Sequence, residues 1–353
     1  MQICICRVSV EYVNLRDICK INMGQSPEST SYNSDKQGVP FYQGNADFGA
    51  LYPNPRIWCS KPIKLAKEND ILISVRAPVG ALNFSKEECC IGRGLAAITL
   101  DSNDFLLEFI YWSLRTGVKE LQSKSTGSTF KSINKKTLEE VRIPKISLKE
   151  QKDIIRNLTL LTNILAKYKH EIVFLDELVK ARFVEMFGDP IYNTQNRPMT
   201  EFINVVKMQR GYDLPVQDRN HEGSIPVYGA NGVLGYHDVA KINNGGIITG
   251  RSGTIGKVYL ANKEYWPLNT SLFSIETYGN NLIYLQYLVT LYDLKRFVEG
   301  TGVPTLNRNM FHNKKIIEVP INEQNTFASF VEEVDKSRLL SNHSLFLIKS
   351  ITF

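Results

Sequence analysis

The sequence predicts an α+β chain. Two similar mixed domains are separated by an antiparallel pair of long coiled-coil helices, with an approximate two-fold relating the halves. Three observations lead there. A block in the first half of the 353 residues reappears in order in the second half. The first copy is followed by a run without Pro or Gly whose apolar residues recur at alternating steps of four and three, as in a coiled-coil helix. The second copy is followed by a shorter run of the same kind.

The repeat is carried by short motifs. Pro40-Phe41-Tyr42-Gln43-Gly44-Asn45 answers to Pro226-Val227-Tyr228-Gly229-Ala230-Asn231, and Ile73-Ser74-Val75-Arg76 to Ile248-Thr249-Gly250-Arg251. Thr126-Gly127-Ser128-Thr129 answers to Thr301-Gly302-Val303-Pro304-Thr305. Ile143-Pro144 with Glu150-Gln151 answers to Val319-Pro320 with Glu323-Gln324. A unit this long is a duplicated domain, not a solenoid repeat of roughly 20–50 residues, and the chain length suits roughly two domains of ordinary size.

Within each copy the reading is of short strands, turns and one helix. Asp70–Val75 and Leu95–Leu100 are apolar runs bounded by charge, Pro and Gly, which suits buried strands. Phe105–Leu114 carries Phe105, Phe109 and Trp112 at helical spacing, with Leu282–Leu294 as its counterpart. The long run spans Leu148–Phe187. Its seam is Ile154, Leu158, Leu161, Leu165, Tyr168, Ile172, Leu175, Val179, Arg182 and Met186. Some 40 residues at about 1.5 Å each make a rod of roughly 60 Å. Gly188-Asp189-Pro190 stops it. After Gln324 the seam resumes at Phe327, Phe330, Val334, Leu345, Ile348 and Ile351, interrupted by Ser337, Arg338 and Ser341. The expected interface is Leu158, Leu161, Leu165, Tyr168, Ile172 and Leu175 against Phe330, Val334 and Ile348. The alternative is that each helix packs onto its own domain. The expected boundaries are 1–146, 147–188, 189–321 and 322–353.

Composition narrows the function. Forty-three per cent hydrophobic and 22% charged residues are ordinary for a globular protein. No run of about 18 apolar residues is present, so no membrane span is expected. The start, Met1 to Arg7, is too short and too quickly interrupted to read as a secretory signal. All the cysteines (Cys4, Cys6, Cys19, Cys59, Cys89, Cys90) lie in the first copy, so they are expected to be reduced thiols of a cytoplasmic protein, neither a disulfide framework nor a zinc site. The net charge is +6, and between Arg115 and Lys145 eight basic residues stand against three acidic ones. Such a concentration suggests a polyanion partner.

Catalytic motifs fail one by one. Gly250–Lys257 has five residues between its first Gly and Gly-Lys and then Val258, so the spacing and the magnesium hydroxyl of a phosphate loop are both missing. Asp189-Pro190-Ile191-Tyr192 departs at Ile191 from the Asp-Pro-Pro-Tyr of amino-methyltransferases and reads as a helix stop. The histidines are scattered. Glu68 and Asp70, the nearest approach to a metal-holding carboxylate pair, read as a turn before a strand. No catalytic set and no metal site are expected.

What remains is polar and basic loop chemistry, recurring in both copies. Cations, hydroxyls and backbone amides beside Gly suit phosphate oxygens, and Asn or Arg can read base edges bidentately. The candidates in the first copy are Arg76, Arg93, Lys124, Ser128, Lys131 and Asn134. Those in the second are Arg210, Asn231, Arg251, Lys257, Thr305, Asn307 and Arg308. Arg76 and Arg251 read as an equivalent pair.

Two homologous domains each ending in a long helix, the Met186-Phe187-Gly188-Asp189-Pro190 stop, and the Gly-Ser-Thr and Gly-Val-Pro-Thr loops followed by Ile/Val-Pro and Glu-Gln resemble the DNA-specificity (S) subunit of type I restriction–modification systems. The resemblance covers Val13 to Phe353 and departs in the shorter final helix and the Met1–Val10 lead. It implies two target recognition domains, each reading one half of a split double-stranded DNA sequence. It also implies a helical spacer that sets the gap and docks methyltransferase (modification) subunits. S-adenosylmethionine would be held by those subunits, with ATP and magnesium on a restriction/translocase subunit, and no cofactor on this chain. Two other readings stay open: a single-chain nuclease or methyltransferase with an unrecognised site, and a coiled-coil adaptor without a DNA role.

Overall fold

Apolar runs of a few residues, punctuated by Gly, Asn and Pro, become strands in both halves. The computed structural model describes residues 10–125, 132–220, 222–299 and 304–352, with the side chains at 343 and 345–352 outside that description. The chain divides into two compact units, Met1–Leu165 with Ile348–Phe353, and Ala166–Leu347.

In the first unit β1 (Tyr12–Asn14), α1 (Leu15–Ile18), β2 (Cys19–Met23), β3 (Tyr32–Asn33), β4 (Val39–Tyr42) and β5 (Ile57–Cys59) come first. They are followed by β6 (Leu65–Ala66), β7 (Ile71–Ser74), β8 (Leu82–Phe84), β9 (Cys89–Ile91) and β10 (Leu95–Leu100). Helices α2 (Leu107–Thr116), α3 (Val118–Ser123) and α4 (Lys135–Glu139) lead to β11 (Arg142–Pro144) and into α5 (Leu148–Phe187). The strands form sheets in the orders β2-β10-β7-β8, β1-β11 and β3-β5-β4-β9-β6. The expected strands and helix are present, and Glu68-Asn69-Asp70 is a turn in which Asp70 accepts the Lys67 N–H at 2.8 Å.

The second unit repeats that frame. Its elements are β12 (Met199–Glu201), α6 (Phe202–Val205), β13 (Lys207–Arg210), β14 (Ile225–Gly229), β15 (Gly232–His237), β16 (Gly246–Gly250) and β17 (Val258–Ala261). Then come β18 (Trp266–Pro267), β19 (Ser271–Glu276), α7 (Leu282–Leu291), β20 (Val298–Glu299), β21 (Thr305–Leu306), β22 (Lys315–Ile317) and α8 (Ile321–Thr352). The sheets β13-β19-β16-β17 and β12-β22 match β2-β10-β7-β8 and β1-β11 strand for strand. The parallel pair β14–β18 matches β4–β9. The Gly250–Lys257 motif joins β16 to β17, two antiparallel strands, so no helix N-terminus follows it to receive a phosphate.

The hydrogen bonds correct one equivalence by a single residue. Val75 donates to Gly94 O and accepts from Ile133, whereas Arg251 donates to Thr270 O and accepts from Leu306. Arg76 bridges Ser132 as Ser252 bridges Thr305. The structural partner of Arg76 is therefore Ser252, and that of Arg251 is Val75. The aligned Ile-Ser-Val-Arg and Ile-Thr-Gly-Arg strings were one residue out of register, and one residue in a strand reverses the face.

Each long helix is tied to its domain by a buried glutamine. The Gln151 carboxamide accepts the Leu106 N–H at 2.8 Å and donates to Asp104 O and Ile146 O at 2.8 and 3.0 Å. Gln324 accepts the Asn281 N–H at 2.9 Å and donates to Val319 O and Asn280 Oδ1. The Glu-Gln motif is thus a clip joining the helix start, the preceding strand end and the start of α2 or α7.

Within the second unit α5 and α8 run side by side, antiparallel. Asp176 meets Arg338 at 2.6 Å, Arg182 lies over Phe330, and Phe183 and Phe187 pack on Phe327 with ring centroids 5.4 and 5.7 Å apart. Val179, Phe183, Phe187, Phe327, Val331 and Val334 are buried in the same core as β-domain residues such as Phe202 and Leu285. Burying each such side chain stabilises by about 2 kcal/mol. The two expected packings are therefore not exclusive here: the helices pair and also enter the domain core. Leu175 and Phe330 pack against that core. Leu158, Leu161, Leu165, Tyr168 and Ile172 are half-buried, and the Ile348 side chain lies outside the described residues. Arg338, at a break in the apolar seam, fills its position with ion pairs to Asp176 and Asp335.

The stop after α5 is a built turn. Gly188 has φ +79°, a conformation side-chain-bearing residues rarely adopt. Asp189 Oδ1 accepts the N–H groups of Ile191 and Tyr192. Arg197 returns to cap Met186 O at 2.6 Å and pairs with Glu323 at 2.7 Å.

The described cysteines (Cys19, Cys59, Cys89 and Cys90) are free and buried. Burial pushes Cys19 and Cys89 up to about 12, so these are inert packing thiols. Cys4 and Cys6 lie outside the described residues.

Asn134 and Asn307 hold matching positions, and both are helix caps. Asn134 Oδ1 accepts the Thr137 N–H at 2.9 Å, and Asn307 Oδ1 accepts the Asn309 N–H at 3.0 Å. Both carboxamides therefore have a structural role at these positions, in helix capping. His312 packs between Phe202 and Phe311, and its Nε2 accepts the Met208 N–H at 3.2 Å.

Three outcomes are expected. Gln324→Ala leaves the Asn281 N–H and Val319 O without partners and lowers unfolding stability in urea by about 2–4 kcal/mol. Asn134→Ala costs about 1 kcal/mol, whereas Asn134→Asp retains the cap and most of that stability in the same titration. Burial, with Arg308 and Lys207 nearby, depresses His312 from 6.5 to about 4. Below 6.5 the unfolded chain binds a proton that the folded ring refuses, so stability falls as pH drops from 6.5 to 4. His312→Gln flattens that pH profile by about 1 kcal/mol, a figure discounted for solvent screening at a half-buried ring.

Candidate nucleic-acid interface

Cations without partners are available to a polyanion, and the arginines differ in what they touch. Among the described residues Arg16, Arg56, Arg156, Arg182, Arg197 and Arg338 pair with carboxylates. Arg115, Arg142 and Arg296 lie over aromatic rings, and Arg219 bonds Leu214 O. Arg76, Arg93, Arg210 and Arg308 make no side-chain hydrogen bond, ion pair or ring contact among the described residues. Arg251 has only a 3.5 Å contact to Asn269 O.

These five fall into two clefts. In the first unit Arg76 and Arg93 line a cleft of about 490 Å³ with Ser26, Tyr32, Gln43 and Asn45. Arg76 follows β7. Arg93 sits on the Gly92–Leu95 turn, closed by Leu95 N–H to Gly92 O at 3.0 Å. Gly94 brings that turn against β4: its N–H donates to Gln43 O, and a Cβ there would lie 2.2 Å from the same oxygen. Asp47 holds the next corner, accepting the Gln43 and Gly44 N–H groups and pairing with Arg56. Tyr32 stacks on Phe41 at 4.7 Å and donates its hydroxyl to Pro27 O.

In the second unit Arg210, Arg251, Thr305, Asn307, Arg308 and Asn309 line a cleft of about 280 Å³. Arg210 ends β13, Arg251 follows β16, and Arg308 begins a single turn of 3-10 helix, Arg308–Met310. Two of these positions differ in kind from the first unit: by the register above, Arg251 stands where Val75 does and Arg308 where Lys135 does, a lysine already paired with Glu139. Arg93 is answered by Asn269, which bonds Asp213.

Other expected site residues stand apart. Asn231 is exposed on the β14–β15 turn, and Lys257 is exposed before β17. Lys124 is paired with Glu120 at 2.6 Å on α3. Ser128 and Lys131 lie outside the described residues. Four of the eight basic residues between Arg115 and Lys145 are paired among the described residues, three of them with the acids of the same stretch, so it keeps a basic excess. Lys124, Lys135, Lys136 and Lys145 meet Glu120, Glu139, Glu140 and Glu11. Tyr32, Gln43, Asn45 and Ser26 were not foreseen as site residues. Their one sequence signal was that Gln43-Gly44-Asn45 ends a motif shared by both copies. No group of three or more potential metal ligands occurs among the described residues, nor is any described helix long and apolar enough to cross a membrane.

Comparison with known proteins agrees with this duplicated frame. The family model "Type I restriction modification DNA specificity domain" matches twice, over residues 7–173 and 193–348. A putative type I restriction enzyme MjaX specificity subunit from Methanocaldococcus jannaschii is 44% identical over 146 residues, 41% of this chain and 34% of that protein. That match spans about a third of the relative's length. The type I restriction enzyme MjaIX specificity subunit of the same organism is 22% identical over 329 residues, 82% of this chain and 76% of that protein. The crystal structure of a type I restriction–modification system S subunit from M. genitalium shares the fold. Its TM-score is 0.63 at 16% identity, over 98% of this chain and 95% of that one. With both copies matched over nearly their full length, the chain belongs to the type I restriction modification DNA specificity family.

Proposed function

We propose that this chain is the DNA-specificity subunit of a type I restriction–modification complex, a recognition protein rather than a catalyst. Each domain reads one half of a split duplex sequence, and the long helices set the gap. The observation that carries this is the pairing of one repeated frame with two different sets of unpaired arginines, Arg76 and Arg93 against Arg210, Arg251 and Arg308. A shared scaffold with divergent loops suits two dissimilar half-sites, and unpaired guanidinium groups suit both phosphates and base edges.

The remaining partners follow from the same reading. Methyltransferase subunits carrying S-adenosylmethionine dock on the helices, where Val173, Phe174, Leu339 and Leu340 are more than half exposed at 56, 55, 68 and 71%. A restriction subunit would bring ATP and magnesium. The complex works on cytoplasmic DNA.

Methylome sequencing of a host expressing this chain with its modification subunit is expected to show a bipartite methylated motif. Arg251→Ala or Arg308→Ala should alter one half of that motif and leave the other intact. Uniform loss from both halves would contradict the division of labour. Methyl transfer by the isolated chain would overturn the non-catalytic reading.

A further inference from the structure

The first unit's cleft places two guanidinium groups together with no acid among its described lining residues. Elsewhere in the unit the described arginines find a carboxylate or a ring, and Asp47, near the cleft, is already held by Arg56. Both arginines are exposed and neither is neutralised by a carboxylate among the described residues. The arrangement therefore calls for a ligand rich in acceptors. The duplicated frame supplies an internal control: at the matching positions the second unit has Ser252 and Asn269, and Asn269 is tied to Asp213. The arginine pair is not needed to build the frame.

Gly94 is pressed against Gln43 O, and Tyr32, Gln43 and Asn45 line the same cleft as the two arginines. A guanidinium donates two parallel N–H groups, and guanine alone presents two acceptors side by side, N7 and O6, in the major groove. We infer that Arg76 and Arg93 read guanine in the half-site recognised by the first domain. This rests on the DNA-reading function proposed above and assigns a base to one of its clefts.

The test uses the full chain and a randomised DNA duplex pool at fixed salt, comparing wild type with Arg76→Ser and Arg93→Asn, each taking the sister domain's residue. Wild type is expected to select guanine in the first half-site. Each variant is expected to lose that preference roughly tenfold while the second half-site is unchanged. In the selected duplex, 7-deazaguanine at that position, which lacks the N7 acceptor, should weaken wild type about tenfold and the cognate variant far less. The thermal midpoint of the DNA-free Arg93→Asn chain should equal or exceed that of wild type. A first half-site without guanine overturns the assignment. So does a variant whose affinity falls equally for all sequences with a shallower salt dependence, because that marks a phosphate contact and leaves the DNA-reading function standing. No salt-dependent retention of any duplex would overturn both.

Discussion

A buried carboxamide at the start of each long helix governs the rest of this structure. Gln151 and Gln324 each satisfy three groups, one on the residue five positions back and two on a segment more than 40 residues away. An amide buried this deeply is costly unless every partner is present. The helix start can therefore neither slide nor rotate against the domain without breaking all of those bonds together. In the second unit the aromatic cluster of Phe183, Phe187, Tyr284 and Phe327 completes the joint, and Arg197 closes it over Glu323.

Charge is arranged on a second principle. Lys124, Lys135, Lys136 and Arg156 on helical segments are matched with carboxylates three or four residues away, pairs that contribute little stability. The cleft arginines have no carboxylate partner among the described residues. They sit on loops pinned by backbone hydrogen bonds, as with Val75 to Gly94 and Arg251 to Thr270. Rigid strand ends thus carry the variable residues. The one-residue offset between Arg76 and Arg251 lets the same frame present charge at different places.

Much of the fold was legible in the sequence because its signals are local. Heptad spacing marked α5, short apolar runs marked β7 and β10, and Gly188-Asp189-Pro190 marked the stop. The ion pairs within the basic stretch were readable too, since Lys124, Lys135 and Lys136 each have a glutamate four residues away. The candidate arginines were found as residue types on loops, and all five turned out to line a cleft. The capping role of Asn134 and Asn307 was not legible, because an unpaired amide and a capping amide look alike in sequence.

By itself, then, the sequence determined the duplication, the helical rod and the class of chemistry, since periodicity, repetition and composition need no knowledge of neighbours. Only the tertiary structure decided the strand register that separates Arg76 from Arg251. It also decided which cations keep a carboxylate, and the meeting of Tyr32, Gln43, Arg76 and Arg93 in one cleft. Those outcomes depend on hydrogen bonds and contacts between segments tens of residues apart, and a side chain's face in a strand is set by the partner across the ladder.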